Sequence, residues 1–207
     1  MKRLVITGTD TDIGKTVFAA GLTAALDATY WKPVQSGLAG KTDSETVAEL
    51  SGRPTLPETY RLPLPASPHL SAEDAGVEIE IDRLTPPATT ETLIIEGAGG
   101  LMVPLNRSTF YLDLFARWKA PVILVARTAL GTINHTALSL MALRNAGCDV
   151  IGVAFVGTAE PAVEQTIVQM CKIPHLGRLE MITPLTSASL ARAFKAIDLA
   201  TIRKALG

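Results

Sequence analysis

A doubly wound, mainly parallel α/β sheet flanked by helices is the fold this sequence predicts, on three observations. Short aliphatic and β-branched runs recur along the chain without the polar alternation of half-exposed strands, so they read as strands covered on both faces. Segments of helical character separate them, and strand followed by helix, repeated, builds a parallel sheet with helices packed against it. The 207 residues are 47% hydrophobic and 19% charged, with a mean hydropathy of +0.28, which suffices for one sizeable core and excludes disorder as the main state. One domain over residues 1–207 is expected.

The first strand is Leu4-Val5-Ile6, and Lys15 to Leu26 follows as the first helix after a glycine-bearing loop. Thr29 to Val34 is a weaker strand and Ser44 to Leu50 the next helix. Between 53 and 87 lie Pro54, Pro57, Pro63, Pro65, Pro68, Pro86 and Pro87, and because proline lacks the backbone N–H, long regular elements are excluded there. A helix fits only around Ser71 to Gly76, so 53–87 reads as a lid or excursion. Thr92 to Ile95 is the third strand, with helix Leu112 to Trp118 after it. Strand Val122 to Val125 precedes helix Ile133 to Asn145, and strand Val150 to Ala154 precedes helix Ala162 to Cys171. His175 to Leu179 is a last, weaker strand; Ser189 to Phe194 and the rest of the chain from Ser187 are helical and cover a sheet edge.

Charge and cysteine usage exclude several classes. Nineteen Lys and Arg against twenty Asp and Glu leave a net charge of −1, so no field of one sign recruits nucleic acid or an anionic membrane. The apolar run after Lys2 and Arg3 is cut short by Thr7-Gly8-Thr9-Asp10, which is no secretion signal, and no uninterrupted apolar stretch approaches the 18 or more residues that span a bilayer. Cys148 and Cys171 lack CxxC spacing and the three histidines are scattered, so neither a disulfide framework nor a zinc site is outlined and a reducing cytoplasm is expected.

Gly8-Thr9-Asp10-Thr11-Asp12-Ile13-Gly14-Lys15-Thr16 stands directly after the first strand and before the first helix, where a phosphate-binding loop belongs. Small residues let backbone N–H groups turn toward phosphate oxygens, the helix N-terminus adds positive potential, Lys15 reaches the outer phosphates and the Thr16 hydroxyl can ligate Mg²⁺. Five residues separate Gly8 from Gly14, one more than the usual spacing, so Thr9 occupies the normal place of the first glycine. A plain strand-to-helix turn capped by Asp12 is the alternative.

Lys32-Pro33-Val34-Gln35-Ser36-Gly37 ends the second strand, on the sheet edge where ligands of such folds bind. A cation there neutralises charge on a transferring phosphoryl group, with Ser36 a nearby donor; a solvent-facing lysine is the alternative. Glu96 ends the most apolar strand before Gly97-Ala98-Gly99-Gly100, and with Asp43 and Thr16 it makes an oxygen donor set suited to Mg²⁺. The glycines let substrate approach the backbone, while Asp43 serves equally as a cap for the helix after it. Gly131-Thr132-Ile133-Asn134-His135 opens another helix and offers free N–H donors to a carboxylate; an ordinary helix start capped by Thr132 remains open. His69 is ambiguous, His135 reads as a helix-surface or interface residue, and His175 reads as structural.

These four motifs, in this order over residues 8–135, resemble the dethiobiotin synthetase family. The longer phosphate loop is similar to that family's own version. The resemblance implies a P-loop NTPase-type fold, a cytoplasmic homodimer and a Mg²⁺- and nucleotide-dependent cyclo-ligase of biotin synthesis, with ATP or another nucleoside triphosphate as cosubstrate. It implies that CO₂ or bicarbonate and diaminopelargonic acid are joined through a carbamate and a carbamic-phosphoric anhydride to form the ureido ring of dethiobiotin. On it, Thr9, Asp10, Thr11, Asp12, Ile13, Gly14, Lys15, Thr16 and Val17 bind nucleotide, and Thr16, Asp43 and Glu96 hold metal. Lys15, Lys32, Thr11 and Ser36 act in catalysis, and Asp12, Lys32, Ser36, Gly99, Gly131, Thr132 and Asn134 meet the substrate, the last three across the dimer interface. After strand Val150 to Ala154 relatives carry an Asn-Asp pair that reads the purine, where this chain has Phe155-Val156, so relaxed base preference is expected. The main alternative is a nucleotide-switched, partner-binding ATPase of the partitioning or nitrogenase-iron-protein type.

Overall fold

The computed structural model describes residues 2–207. Strand β1 (Arg3–Gly8) leads through the glycine loop into α1 (Lys15–Ala25). β2 (Thr29–Trp31), β3 (Val34–Ser36), α2 (Asp43–Ser51), β4 (Thr55–Leu56), β5 (Tyr60–Leu62) and α3 (Pro68–Asp74) follow. The second half runs β6 (Leu93–Gly100), α4 (Tyr111–Trp118), β7 (Val122–Arg127), α5 (Thr132–Asn145), β8 (Val150–Val156), α6 (Pro161–Cys171), β9 (His175–Leu179), α7 (Ser187–Ala193) and α8 (Leu199–Leu206). Among the described residues seven strands form one parallel sheet in the order β4-β2-β6-β1-β7-β8-β9, and β3 pairs with β5 in a separate parallel pair.

The central strands are buried on both faces, which is why their sequences show no polar alternation. Along β1, Val5 belongs to the cluster with Trp31, Ile95, Leu124 and Trp118 on one face. Leu4 and Ile6 point the other way, into the cluster with Phe18, Leu22, Ile94 and Ile123 beneath α1. Phe194, Ile197 and Ile202 from the C-terminal segment close that second cluster over β8 and β9. No helix among the described residues is long and apolar enough to cross a membrane, and Cys148 and Cys171 are free thiols.

The structure alters several expected boundaries. Thr29 to Val34 is two strands in different sheets, because Pro33 cannot donate to the ladder and the chain leaves β6 there. The third strand continues past Glu96 to Gly100, pairing again with β1 at Gly8 after a register shift. Gly97 permits this, since a Cβ there would lie 2.7 Å from the Phe115 ring of α4. In 53–87 the helix begins at Pro68, a favourable first-turn residue, and stops at Asp74. Tyr60, Leu62, Ile79 and Leu84 of this stretch are buried against the main core.

One close approach makes a stability prediction. Gly177 in β9 has φ +105° and a Cβ there would overlap the Ala196 carbonyl oxygen, with the Ile197 backbone at 2.9 Å. Gly177→Ala is expected to destabilise the protein by on the order of 3 kcal/mol through backbone strain and overpacking. Urea unfolding would register this as a lower midpoint at unchanged slope.

Candidate functional site

The glycine loop leaves β1 in the middle of the sheet and enters α1 through Gly14, whose φ of 88° is left-handed. Gly8 has its own reason: a Cβ would meet Ile13 and Lys15 side chains at 2.6 and 2.8 Å, so the early glycine gives those side chains room to lie over the strand end. Lys15 Nζ donates to the Asp10 carbonyl, closing the loop on itself, and Asp10 Oδ1 accepts the Thr11 N–H at 2.8 Å. Asp12 is left-handed at φ 54° and makes no side-chain cap to α1, so the capped-turn alternative fails there.

Four side chains converge at the start of α1. Thr16 Oγ lies 2.8 Å from Asp43 Oδ1 and 2.9 Å from Glu96 Oε1, and Lys32 Nζ is ion-paired to Asp43 and lies 3.6 Å from Glu96. Lys32 is buried, so the solvent-facing alternative is excluded. Burial opposes its charge, but Glu96 and then Asp43 outweigh it and hold the ammonium above the ordinary lysine pKa. Burial likewise pushes the Asp43 carboxyl up, and Lys32 and Thr16 overcome it and pull it down. Lys15 behaves oppositely: burial lowers its pKa, and Glu96 offsets this only in part while Lys32 adds to it.

Asp43 reaches this cluster because it is not the cap of α2. Thr42 is, with its hydroxyl accepting from Glu45 N–H and Glu45 Oε2 accepting from Thr42 N–H, which frees the next carboxylate. Tyr30, unremarked in the sequence, donates its hydroxyl to Glu96 Oε2 at 2.9 Å from full burial. Burial, then Glu96, raises the Tyr30 pKa well above the usual range, so it remains a donor. Gln35 adds an acceptor 3.4 Å from the Asp43 N–H.

A cavity of ≈ 300 Å³ opens over this cluster, and Thr11, Asp12, Ile13, Gly14, Lys15, Thr16, Val17, Lys32, Asp43, Glu96 and Gly99 line it. A Cβ at Gly99, which has φ 62°, would lie 2.7 Å from Val103 Cγ2 and 3.2 Å from Thr11 Oγ1, so any larger residue there is strained. Ser36 does not line the cavity; its hydroxyl is buried without a hydrogen-bond partner. Gly131, Thr132 and Asn134 lie apart, at the start of α5, where Gly131 is the cap residue at φ 92° and Thr132 is the first helical residue, buried near Thr136. Thr132 is therefore not the cap.

A larger cavity of ≈ 650 Å³ adjoins the first, sharing Asp12, Ile13, Gly14 and Val17 with it. Its other walls are the ends of β7 and β8 and the segment after β9, with Thr128, Val156, Gly157, Glu180, Met181 and Leu185 among them. None of these except Val156 was singled out by sequence; the available signal was their place after strand ends.

Together these features make a phosphate loop feeding two lysines and two carboxylates, which many nucleotide-using proteins share. Comparison with known proteins separates them. The AAA domain family matches residues 2–189. An ATP-dependent dethiobiotin synthetase BioD of Rhodopseudomonas palustris (strain BisB18) is 57% identical over 196 residues, covering 93% of this chain and 94% of the relative. The chain belongs to the dethiobiotin synthetase family. Another member, from Sphingopyxis alaskensis, is 54% identical over 204 residues, 98% of this chain and 100% of the relative. The protein is accordingly an enzyme, a ligase of the ATP-dependent dethiobiotin synthetase type.

Solved structures match in fold alone. A ParA family ATPase from Chlorobium tepidum TLS has a TM-score of 0.58 at 11% identity, over 100% of this chain and 98% of that one. A Pyrococcus furiosus cell division ATPase MinD has a TM-score of 0.55 at 13% identity, over 99% of each chain. The partner-switch alternative rested on this shared fold, and synthetase-family membership disfavours it.

The strand expected to end at Ala154 runs on to Val156. Phe155 does not follow the strand; it lies inside β8, fully buried, with its ring 5.0 Å from that of His175. The alternation of β8 turns it into the core and turns Val156 to the larger cavity.

Proposed function

We propose that this chain closes the ureido ring of dethiobiotin from CO₂ and diaminopelargonic acid with Mg²⁺ and ATP, as a cytoplasmic homodimer. The observation that carries the site assignment is Thr16 between Asp43 and Glu96. A hydroxyl has one proton and cannot donate to both carboxylates, so the set has surplus acceptor capacity in a largely buried place, which an oxygen-preferring divalent cation satisfies. Bound there, Mg²⁺ would neutralise charge on the nucleotide phosphates.

One amine of the substrate adds to CO₂ and loses a proton, giving a carbamate. The carbamate oxygen attacks the γ-phosphorus and ADP leaves; the second amine then attacks the carbonyl carbon, loses a proton and expels phosphate as the ring closes. Negative charge shifts among oxygens throughout, so catalysis is mostly placement and electrostatics. Lys15 draws on the outer phosphate once the triphosphate replaces the Asp10 carbonyl as its partner. Lys32, fixed by Asp43 and Glu96, meets the carbamate, and Thr11 with Gly99 bounds the space between. Asp12 lines the diamine end; Ser36, whose partnerless hydroxyl is buried outside the cavity lining, meets the ligand there only by turning its side chain.

Gly131, Thr132 and Asn134 would receive the substrate carboxylate from the second copy. Support for a dimer at α5 comes from exposed apolar side chains on and before that helix: Leu130, Ile133, Leu138 and Met141. Residues 1–207 act as one domain, with 53–87 an excursion over the substrate end.

Phosphate release would be followed with Mg²⁺, bicarbonate and each nucleoside triphosphate, with and without the diamine, and the product weighed. Diamine- and bicarbonate-dependent turnover, lost in folded Lys15→Ala, is expected; hydrolysis indifferent to the diamine with no ureido product would reject the reading. The aliphatic Val17, Val156, Leu179 and Ile182 around the larger cavity support loose base selection. CTP and GTP are therefore expected to work comparably to ATP, and an ATP preference above about a hundredfold would exclude this.

A further inference from the structure

Behind the wall of the larger cavity, outside the catalytic cluster, a nearly buried carboxylate gathers three donors. Glu164 of α6 accepts the Glu160 N–H at 3.2 Å, faces Arg178 Nε at 3.2 Å through Oε1, and faces His175 Nε2 at 2.9 Å through Oε2. The proton placement is determined by the neighbour: His175 Nδ1 accepts the Gly177 N–H at 2.9 Å, so Nε2 carries the hydrogen and donates to Glu164.

Seated on Glu164, the Arg178 guanidinium donates through Nη1 to the Gly157 carbonyl at 3.1 Å. It also lies 3.3 Å from Glu180 Oε1 through both terminal nitrogens. Gly157 and Glu180 both face the larger cavity, from the ends of different strands. The rest of Gly157 is held as well: its N–H donates to the Leu179 carbonyl at 3.0 Å. Its backbone, at φ +127°, lies so close to Thr128 that a Cβ would come 2.5 Å from Oγ1. One side chain thus ties the turn after β8 to the segment after β9, and a planar fork held by a buried carboxylate suits that task where a flexible lysine would not.

We infer that Arg178 is a positioning residue for the nucleotide: anchored by Glu164, it holds Gly157 and Glu180 in the shape that receives the base and ribose. This rests on the reading of the larger cavity as the nucleoside end of the site. The phosphates, held by Gly14 to Thr16, lie on the other side of the shared wall, so the effect of Arg178 is confined to ligands that carry a base.

The test uses the full chain with Arg178→Met, assayed for kcat, for the KM of ATP and of the diamine, and for inhibition by inorganic triphosphate, which has phosphates and no base. The KM for ATP is expected to rise about tenfold, with kcat at saturating ATP, the diamine KM and triphosphate inhibition unchanged within about twofold. Glu164→Gln, which keeps the size but leaves one acceptor atom and removes the charge that seats the guanidinium, is expected to shift the ATP KM in the same direction by less, and it carries the test if Arg178→Met does not fold. An unchanged ATP KM, or triphosphate inhibition weakened in parallel with ATP, overturns the inference. If the wild-type protein binds inorganic triphosphate as tightly as ATP, the base adds nothing and the cavity assignment itself fails; if it favours ATP and the variants keep that preference in full, only the role of Arg178 fails.

Discussion

Turnover in Lys32→Met is expected to fall about 10²–10³-fold, the size of effect seen when one preorganised group facing developing negative charge is removed. Lys32 is buried against two carboxylates, and both raise its pKa, so it is a full positive charge throughout the working range. Methionine keeps the length of the side chain and removes only that charge. Asp43 and Glu96 then face one another with no fixed cation between them, an arrangement that destabilises by on the order of 3 kcal/mol when a buried partner is deleted. A divalent cation supplies the missing charge, so Mg²⁺ is expected to raise the melting temperature of Lys32→Met more than that of the wild type. Thermal unfolding with and without Mg²⁺, beside steady-state kinetics, checks both statements. Retention of turnover within tenfold would remove Lys32 from the chemistry.

Glu96→Gln is expected to lose activity on a similar scale, about 10²–10³-fold, for a different reason. Glu96 is almost wholly buried and organises three neighbours: it accepts from Tyr30, lies 2.9 Å from the Thr16 hydroxyl and draws on Lys32. An amide preserves the shape, but it has one acceptor atom instead of two, no charge, and an NH₂ aimed at a donor. Saturation by Mg²⁺ is therefore expected to need a much higher concentration, and titration calorimetry with Mg²⁺ and a non-hydrolysable nucleotide would measure that directly. Tyr30→Phe is the graded control. It leaves Glu96 Oε2 without its donor, a loss of about 1–3 kcal/mol for a buried group, and should weaken Mg²⁺ binding while leaving turnover at saturating Mg²⁺ near wild type. Equal Mg²⁺ binding in Glu96→Gln and wild type would place the cation elsewhere.

Much of this protein was legible from its residues alone. The uninterrupted aliphatic runs around Val5, Ile94 and Leu124 announced strands covered on both faces, and each is fully buried. The loop from Gly8 to Thr16, the lysine after the second strand and the carboxylate after Ile95 were all legible because strand ends and helix starts are written in local composition. Eight positions drawn from those motifs, Thr11 to Thr16 with Lys32 and Glu96, line one cavity. Legibility failed where a residue's role depends on what stands opposite it. Tyr30 reads as an ordinary strand residue until β2 is laid beside β6, which brings its hydroxyl to a carboxylate 66 positions away. Phe155 reads as a turn residue until β8 is seen to continue, and then one step of strand alternation exchanges it for Val156.

The sequence by itself determined the alternation of the main strands and helices but not the short strands β3, β4 and β5, together with the phosphate loop and the chemical types available at the sheet's carboxyl edge, since these follow from short-range periodicity and turn chemistry. Only the tertiary structure decided that Asp43 meets Thr16 and Lys32, that Thr16 meets Glu96 across 80 positions, and that Arg178 bridges two strand ends. Those outcomes depend on strand order and register, and the free energy that selects a register is collected by the whole buried sheet rather than by any segment whose pattern can be read alone.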